Sequence, residues 1–333
     1  MREYSSGQFP QFFSPGEQAK KMMTWPNRTK DNAVVVKLMP GDLVEVRSEA
    51  EILQTLDEKG RLENLPFMPE MLKFCGQKFR ISRRALKTCV DDQDIRQLDS
   101  TVFLEEVRCD GSNHGGCGRA CLIFWKEAWL KPVDGSVSQN GFHASTVTRS
   151  DLVSLAMRNG EFFCQSSEIV QASSPLPWWQ VKQYLWDVKY NQISYREFLQ
   201  SLFIAVYNKI AYHARFRSWG LVTGSGDTAS PTQSLNLKPG ELVRVKTLAE
   251  IKSTLDPTGK NRSLLFAPSM KDFCGQVLRV RDRVENIVLE GTSRQRTLKD
   301  TVLLEGSTCD GLCHRMCPRQ SFLFWRECWL ERV

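Results

Sequence analysis

The chain has no uninterrupted run of about 20 apolar residues, so no transmembrane helix is expected. Met1 to Pro15 carry charge and glycine but no apolar stretch, and no secretory leader is expected there. No glycine-rich phosphate loop, Gly-x-Ser-x-Gly elbow or His-Glu-x-x-His helix occurs. Histidine is scarce, with four in 333 residues, and His143 and His213 have no acid or cysteine close by in sequence. A concentrated basic tail is also missing. The net charge of +7 comes from basic residues interspersed with acidic ones, which is the pattern of a solvated surface.

What is present is an ordinary globular composition, 41% apolar and 25% charged, on a chain long enough for two or three domains. The unusual component is cysteine. Eleven are present, at 75, 89, 109, 117, 121, 164, 274, 309, 313, 317 and 328. An odd, clustered set without a secretory leader points to metal ligands in a reducing cytoplasm rather than to a disulfide framework.

The clusters come as a pair. Cys109-Asp110-Gly111, His114 and Cys117 lead into Phe124-Trp125-Lys126-Glu127-Ala128-Trp129-Leu130. Cys309-Asp310-Gly311, His314 and Cys317 lead into Phe324-Trp325-Arg326-Glu327-Cys328-Trp329-Leu330. The likeness starts far upstream: Pro40-Gly41 returns as Pro239-Gly240, and Phe74-Cys75-Gly76-Gln77 as Phe273-Cys274-Gly275-Gln276, an offset of 199. It becomes 200 by Thr101-Val102 and Thr301-Val302. Two homologous domains are expected, each with its own core.

The local pattern repeats as well. A Pro-Gly turn launches an alternating strand, Asp42 to Arg47 and Glu241 to Lys246. Capping boxes, Ser48 with Glu51 and Thr247 with Glu250, start a short helix. Pro69 and Pro268 suit the first turn of a second one. Further strands are expected at Phe79 to Arg83, Thr101 to Val107 and Phe124 to Leu130, with counterparts at Val277 to Arg281, Thr301 to Glu305 and Phe324 to Leu330. The run Gly41-Asp42-Leu43-Val44-Glu45-Val46 resembles the opening strand of an SH3-like or KOW-type barrel, over that one strand. The fold class is therefore α+β: two β-rich repeats, as SH3-like half-barrels with short helices, joined by a helical Trp-rich insert. The expected boundaries are a partly disordered extension 1–36, repeat 37–133, linker and insert 134–235, and repeat 236–333. Inside the insert, Ser194 with Glu197 caps a helix bearing Phe198, Leu202, Val206 and Ile210 at helical spacing. The segment Pro175 to Trp179 is read as core, with an exposed docking element as the other reading.

Thiolates and imidazoles in fours suit zinc. The first copy offers Cys89, Cys109, His114, Cys117 and Cys121; the second offers Cys309, Cys313, His314 and Cys317. Two zinc ions are expected, with an iron–sulfur cluster as the alternative. The copies differ: Cys89 aligns near Val288 and Cys121 with Ser321, while Cys313 is new in the second. Cys75, Cys164, Cys274 and Cys328 are read as core. Arg80, Arg83, Arg84, Arg279, Arg281 and Arg283 could form a basic stripe for nucleic acid, with Trp125, Trp129, Trp325 and Trp329 as a stacking groove. Trp178, Trp179 and Trp186 are the candidate anchors for a protein partner. The expected function is a zinc-stabilised tandem-repeat scaffold that binds protein or nucleic acid. The alternative is a metal-dependent or redox tailoring enzyme with its site in the second repeat or between the repeats.

Overall fold

Each half of the chain opens on its Pro-Gly turn. Gly41 and Gly240 take φ of +93° and +91°, and their N–H groups donate to Ile81 O and Val280 O at 2.8 Å. A side chain at either position would be strained by that φ. In this computed structural model, residues 37–90, 93–133, 147–190, 192–214, 216–224 and 234–333 are described. The extension 1–36 and most of the linker, with His143, lie outside them. The described chain is mixed α+β, mostly sheet with few short helices. The described residues pack as one unit.

In the first half an antiparallel five-stranded sheet runs in the order Trp125–Lys126, Thr101–Leu104, Lys78–Arg84, Leu43–Val46, Leu130–Pro132. The second half has Phe322–Arg326, Thr301–Thr308, Val277–Arg283, Leu242–Val245, Leu330–Arg332 in the same order. Registers match too: Leu43 faces Arg80 and Leu242 faces Arg279, while Val46 and Val245 face Leu130 and Leu330. The expected last strand is not continuous. A 3-10 turn, Glu127–Trp129 or Glu327–Trp329, cuts it in two, and the pieces form opposite edges of one sheet. Glu127 N–H goes to Ser100 O and Glu327 N–H to Asp300 O, which fixes the break. Curling one run onto both edges gives a half-barrel.

The expected caps form. Ser48 and Glu51 close a box on the helix Glu49–Leu53, and Thr247 and Glu250 one on Leu248–Ser253. The proline-led segments are 3-10 helices, Pro69–Phe74 and Pro268–Phe273. The core of each half is built on tryptophan. Trp125, Trp129, Trp325 and Trp329 are fully buried, with Phe67 edge-on to the first pair and Phe266 to the second. They form no stacking groove for single strands, because the inward alternation of the sheet claims them.

The middle segment adds helices at Arg149–Ala156, Lys182–Lys189 and Tyr195–Ala214. Ser194 caps the last, with Glu197 N–H donating to its hydroxyl at 3.3 Å. Among the described residues, no helix is long and apolar enough to cross a membrane. Two hairpin arms were not foreseen: Lys87–Val90 with Gln93–Gln97, and Asn286–Val288 with Gln295–Thr297.

Candidate metal centre

The Cys-Asp-Gly loops are shaped by their own backbones. Asp110 accepts from Ser112 N–H at 3.0 Å, and Asp310 from Leu312 N–H at 2.9 Å. Gly111 and Gly311 have φ of +69° and +77°, and each turns its N–H onto the preceding cysteine sulfur at 3.4 Å. A Cβ on Gly111 would sit 2.2 Å from Cys117 O, and one on Gly311 2.3 Å from Cys317 O. Glycine is needed because the loop folds back onto its own last cysteine, Cys117 or Cys317.

In the first half that fold delivers His114 to a carboxylate the sequence reading passed over. Glu70, on the 3-10 helix Pro69–Phe74, sets Oε1 2.7 Å from His114 Nδ1 and accepts Asn113 N–H at 3.0 Å. The other ring nitrogen of His114 lies 3.2 Å from Phe163 O. Glu70, Cys109 and His114 offer ligand atoms that all lie within 4.8 Å of one another. Both Glu70 and His114 are buried, and Glu70 Oε2 has no hydrogen-bond partner. A buried acceptor without a donor is costly unless something positive meets it. Burial, and then the Glu70 charge, push the Cys109 thiol well above its ordinary value, a shift that a bound cation would reverse.

Beside this trio is a cavity of about 20 Å³ lined by Cys109, His114, Cys117, Cys121, Cys164 and Ser166, among others. Such a space holds about one water or one ion. Cys121 Sγ lies 3.5 Å from Ser166 Oγ. Burial raises Cys117 and takes Cys164 to about 12. Cys164, read from sequence as core, is buried and also faces this cavity.

Cys89 is not in this group. Its N–H donates to Cys317 Sγ at 3.1 Å, and the two sulfurs are 3.2 Å apart. The opposite contact is equivalent: Val288 N–H donates to Cys117 Sγ at 3.3 Å. Each arm thus completes the cysteine loop of the other half. Arg319 donates to Cys89 O at 3.0 Å and Arg119 to Val288 O at 3.3 Å, and both arginines meet Glu290, at 2.7 and 3.3 Å. Arg108 spans the junction, reaching Ala120 O and Gln320 O. Burial pushes the Cys317 thiol up, but the Cys89 hydrogen bond and the Arg319 charge outweigh it and hold it at about 7. The Cys89 thiol is driven the other way, by its hydrogen bond to Cys317 and then by burial.

The second half has no counterpart of the trio among the described residues. Ser269 stands where the first half has Glu70. Burial raises Cys309 to about 11. The side chain of Cys313 lies outside the described residues, and His314 closes the 3-10 turn Leu312–His314.

The other sequence candidates separate clearly. The arginine stripe is divided. Arg84 is buried against Glu127 at 2.6 Å and Arg283 pairs with Glu327 at 2.5 Å. Arg80 and Arg279 stay exposed while donating to Gly41 O and Gly240 O, Arg83 is half-buried, and exposed Arg281 lies over Phe322. Pro175 to Trp179 is not core throughout: Trp178 and Trp179 are exposed, and Trp186 is half-buried. The helix Tyr195–Ala214 also leaves Tyr195, Leu199, Phe203 and Ile210 exposed. No protein-family model, curated protein or solved structure matches the chain.

Proposed function

We propose that the chain is a zinc-stabilised binding scaffold. It is made of two copies of one SH3-like half-barrel, locked together by exchanged arms and joined by a Trp-bearing helical insert. The observation that carries the metal is the Glu70–Cys109–His114 trio, with Glu70 and His114 buried and one Glu70 oxygen unpartnered. Carboxylate, thiolate and imidazole together are a zinc donor set, and Cys117 and Cys121, which line the adjoining cavity, are the nearest candidates in sequence for a fourth ligand. An iron–sulfur cluster wants mainly thiolates, which fits this mixed set less well. The sequence reading led to two ions; the gathered residues favour one, in the first half.

A structural ion is preferred to a catalytic one. A catalytic zinc keeps an open position facing substrate. The cavity here, about 20 Å³, is the size of a single water or ion and offers no substrate-sized space beside the trio. The binding role draws on the exposed aromatic and aliphatic side chains of the insert, Trp178, Trp179, Tyr195, Leu199 and Phe203, which suit an apolar protein surface. A nucleic-acid partner has weaker support, because Arg84 and Arg283 are committed to ion pairs and the repeat tryptophans are buried.

The test is metal content and visible spectrum after anaerobic purification. One colourless zinc per chain is expected, reduced at least tenfold in occupancy by Glu70→Gln, as for loss of a ligand or its oriented partner. A brown chromophore, or zinc bound equally by Glu70→Gln, would overturn the assignment.

A further inference from the structure

The Cys89–Cys317 contact joins parts of the chain 228 positions apart and is separate from the Glu70 trio. Its partner contact across the junction shows what the fold itself requires. At Val288 the backbone N–H alone supports Cys117, and an apolar side chain suffices there. The Cys89 N–H does the same for Cys317. Its thiol is therefore an addition beyond the needs of packing, placed 3.2 Å from a second thiol.

The surroundings decide what such a pair does. The guanidinium of Arg319 is held against Cys89 by a hydrogen bond to its carbonyl, and it lies 4.0 Å from Cys121 Sγ. Arg319 is itself paired with Glu290 at 2.7 Å, and its charge still favours the thiolate form of Cys317. Cys317 is buried and Cys89 half-buried, so approach is open to a small oxidant more readily than to a protein disulfide.

We infer that Cys89 and Cys317 form a redox-controlled lock between the first arm and the second cysteine loop, closed by a hydroperoxide. One sulfur attacks the O–O bond of hydrogen peroxide, giving a sulfenic acid and one water. The second sulfur attacks the sulfenic sulfur, the S–S bond forms and a second water leaves. Two thiols lose two hydrogens and two electrons, and the peroxide takes them up as two waters. A dithiol reductant reverses the step. Closure ties the arm Lys87–Gln97 covalently to the loop following Cys309, and so fixes the two halves in their exchanged arrangement.

The full-length protein is titrated with hydrogen peroxide, free thiols are blocked, and the chain is digested without reductant for mass spectrometry. A linked peptide pair carrying Cys89 and Cys317 is expected as the first disulfide to appear, with its loss on adding dithiothreitol. Cys89→Val, which copies the residue of the other half, removes that pair while leaving the circular dichroism spectrum and the zinc content unchanged. The inference is overturned if Cys89 and Cys317 stay reduced while other cysteines oxidise, or if either pairs first elsewhere. It is also overturned if the link appears only after denaturation. Zinc measured on the same samples keeps this result apart from the fate of the Glu70 site.

Discussion

Glu327 is where the fold can be tested most sharply. Its side chain is fully buried, and its Oε2 accepts the N–H groups of Leu235 at 2.6 Å and Asn236 at 3.0 Å. Its Oε1 accepts Leu237 N–H at 3.0 Å and meets Arg283 at 2.5 Å. One carboxylate thus fastens the chain entering the strand Leu242–Val245 to the 3-10 turn Glu327–Trp329. Breaking a buried ion pair by removing one partner costs about 3–5 kcal/mol. Arg283 is 28% exposed, so water recovers part of its charge and moves that term to the low end. The three stranded amide N–H groups restore the loss, at roughly 1 kcal/mol or more each unless water enters. Glu327→Ala should therefore cost about 3–5 kcal/mol. Equilibrium unfolding in urea would read it as a lower midpoint with unchanged slope. The control is Glu331→Ala, which removes an exposed pair with Arg244 at 3.0 Å and should cost about 1 kcal/mol or less. If the two variants lost the same stability, the anchoring role of Glu327 would be wrong.

The cysteine loops give a matched pair of tests. Gly116→Ala meets open space at φ +69° and should cost about 1–2 kcal/mol of left-handed strain, whereas Gly111→Ala at the same φ must also displace Cys117 O and should cost clearly more. Thermal unfolding of both distinguishes them, and equal losses would refute the folded-back loop. Asp110 supplies a pH test. Burial pushes its carboxyl up, but hydrogen bonds from Lys73 and Ser112 win and hold it at about 2, below the model-compound 3.8. The unfolded chain then binds more protons across that interval, so stability from Asp110 is present above about pH 4 and is lost as pH falls toward 2. The difference between the parent chain and Asp110→Asn should vanish over that window, and a gap that persists at pH 2 would exclude the ionic origin.

Local chemistry was legible in the sequence and non-local chemistry was not. The boxes at Ser48 and Thr247 lie within three residues of their partners, so spacing alone reveals them. The strand at Leu43 follows from alternation after a Pro-Gly turn. The turn at Glu127 was hidden inside the run Phe124 to Leu130, which reads as one strand, because the need for two sheet edges arises only when the sheet assembles. Glu70 was hidden for another reason. A buried acid on a six-residue 3-10 helix leaves no periodic trace, and its partner His114 is 44 positions away. Its replacement by Ser269 gave little signal, because Met68, Leu72 and Lys73 beside it are also replaced, by Ala267, Lys271 and Asp272.

Replacements between the copies reach the junction as well. Alignment set Cys89 opposite Val288 and left the thiol as a ligand lost from one copy. The structure gives both residues the same backbone task toward the other half's loop. What the two halves share, the glycine-bent loops, the tryptophan cores and the arm contacts, is accounted for by folding. Among the positions they do not share are Glu70 against Ser269, Cys89 against Val288 and Cys121 against Ser321. Glu70 and Cys121 lie at the trio and its cavity, and Cys89 lies at the thiol pair. The contacts that recur in both halves are the ones each sheet needs to stand. The residues kept in one copy are therefore the ones to mutate first in a search for chemistry.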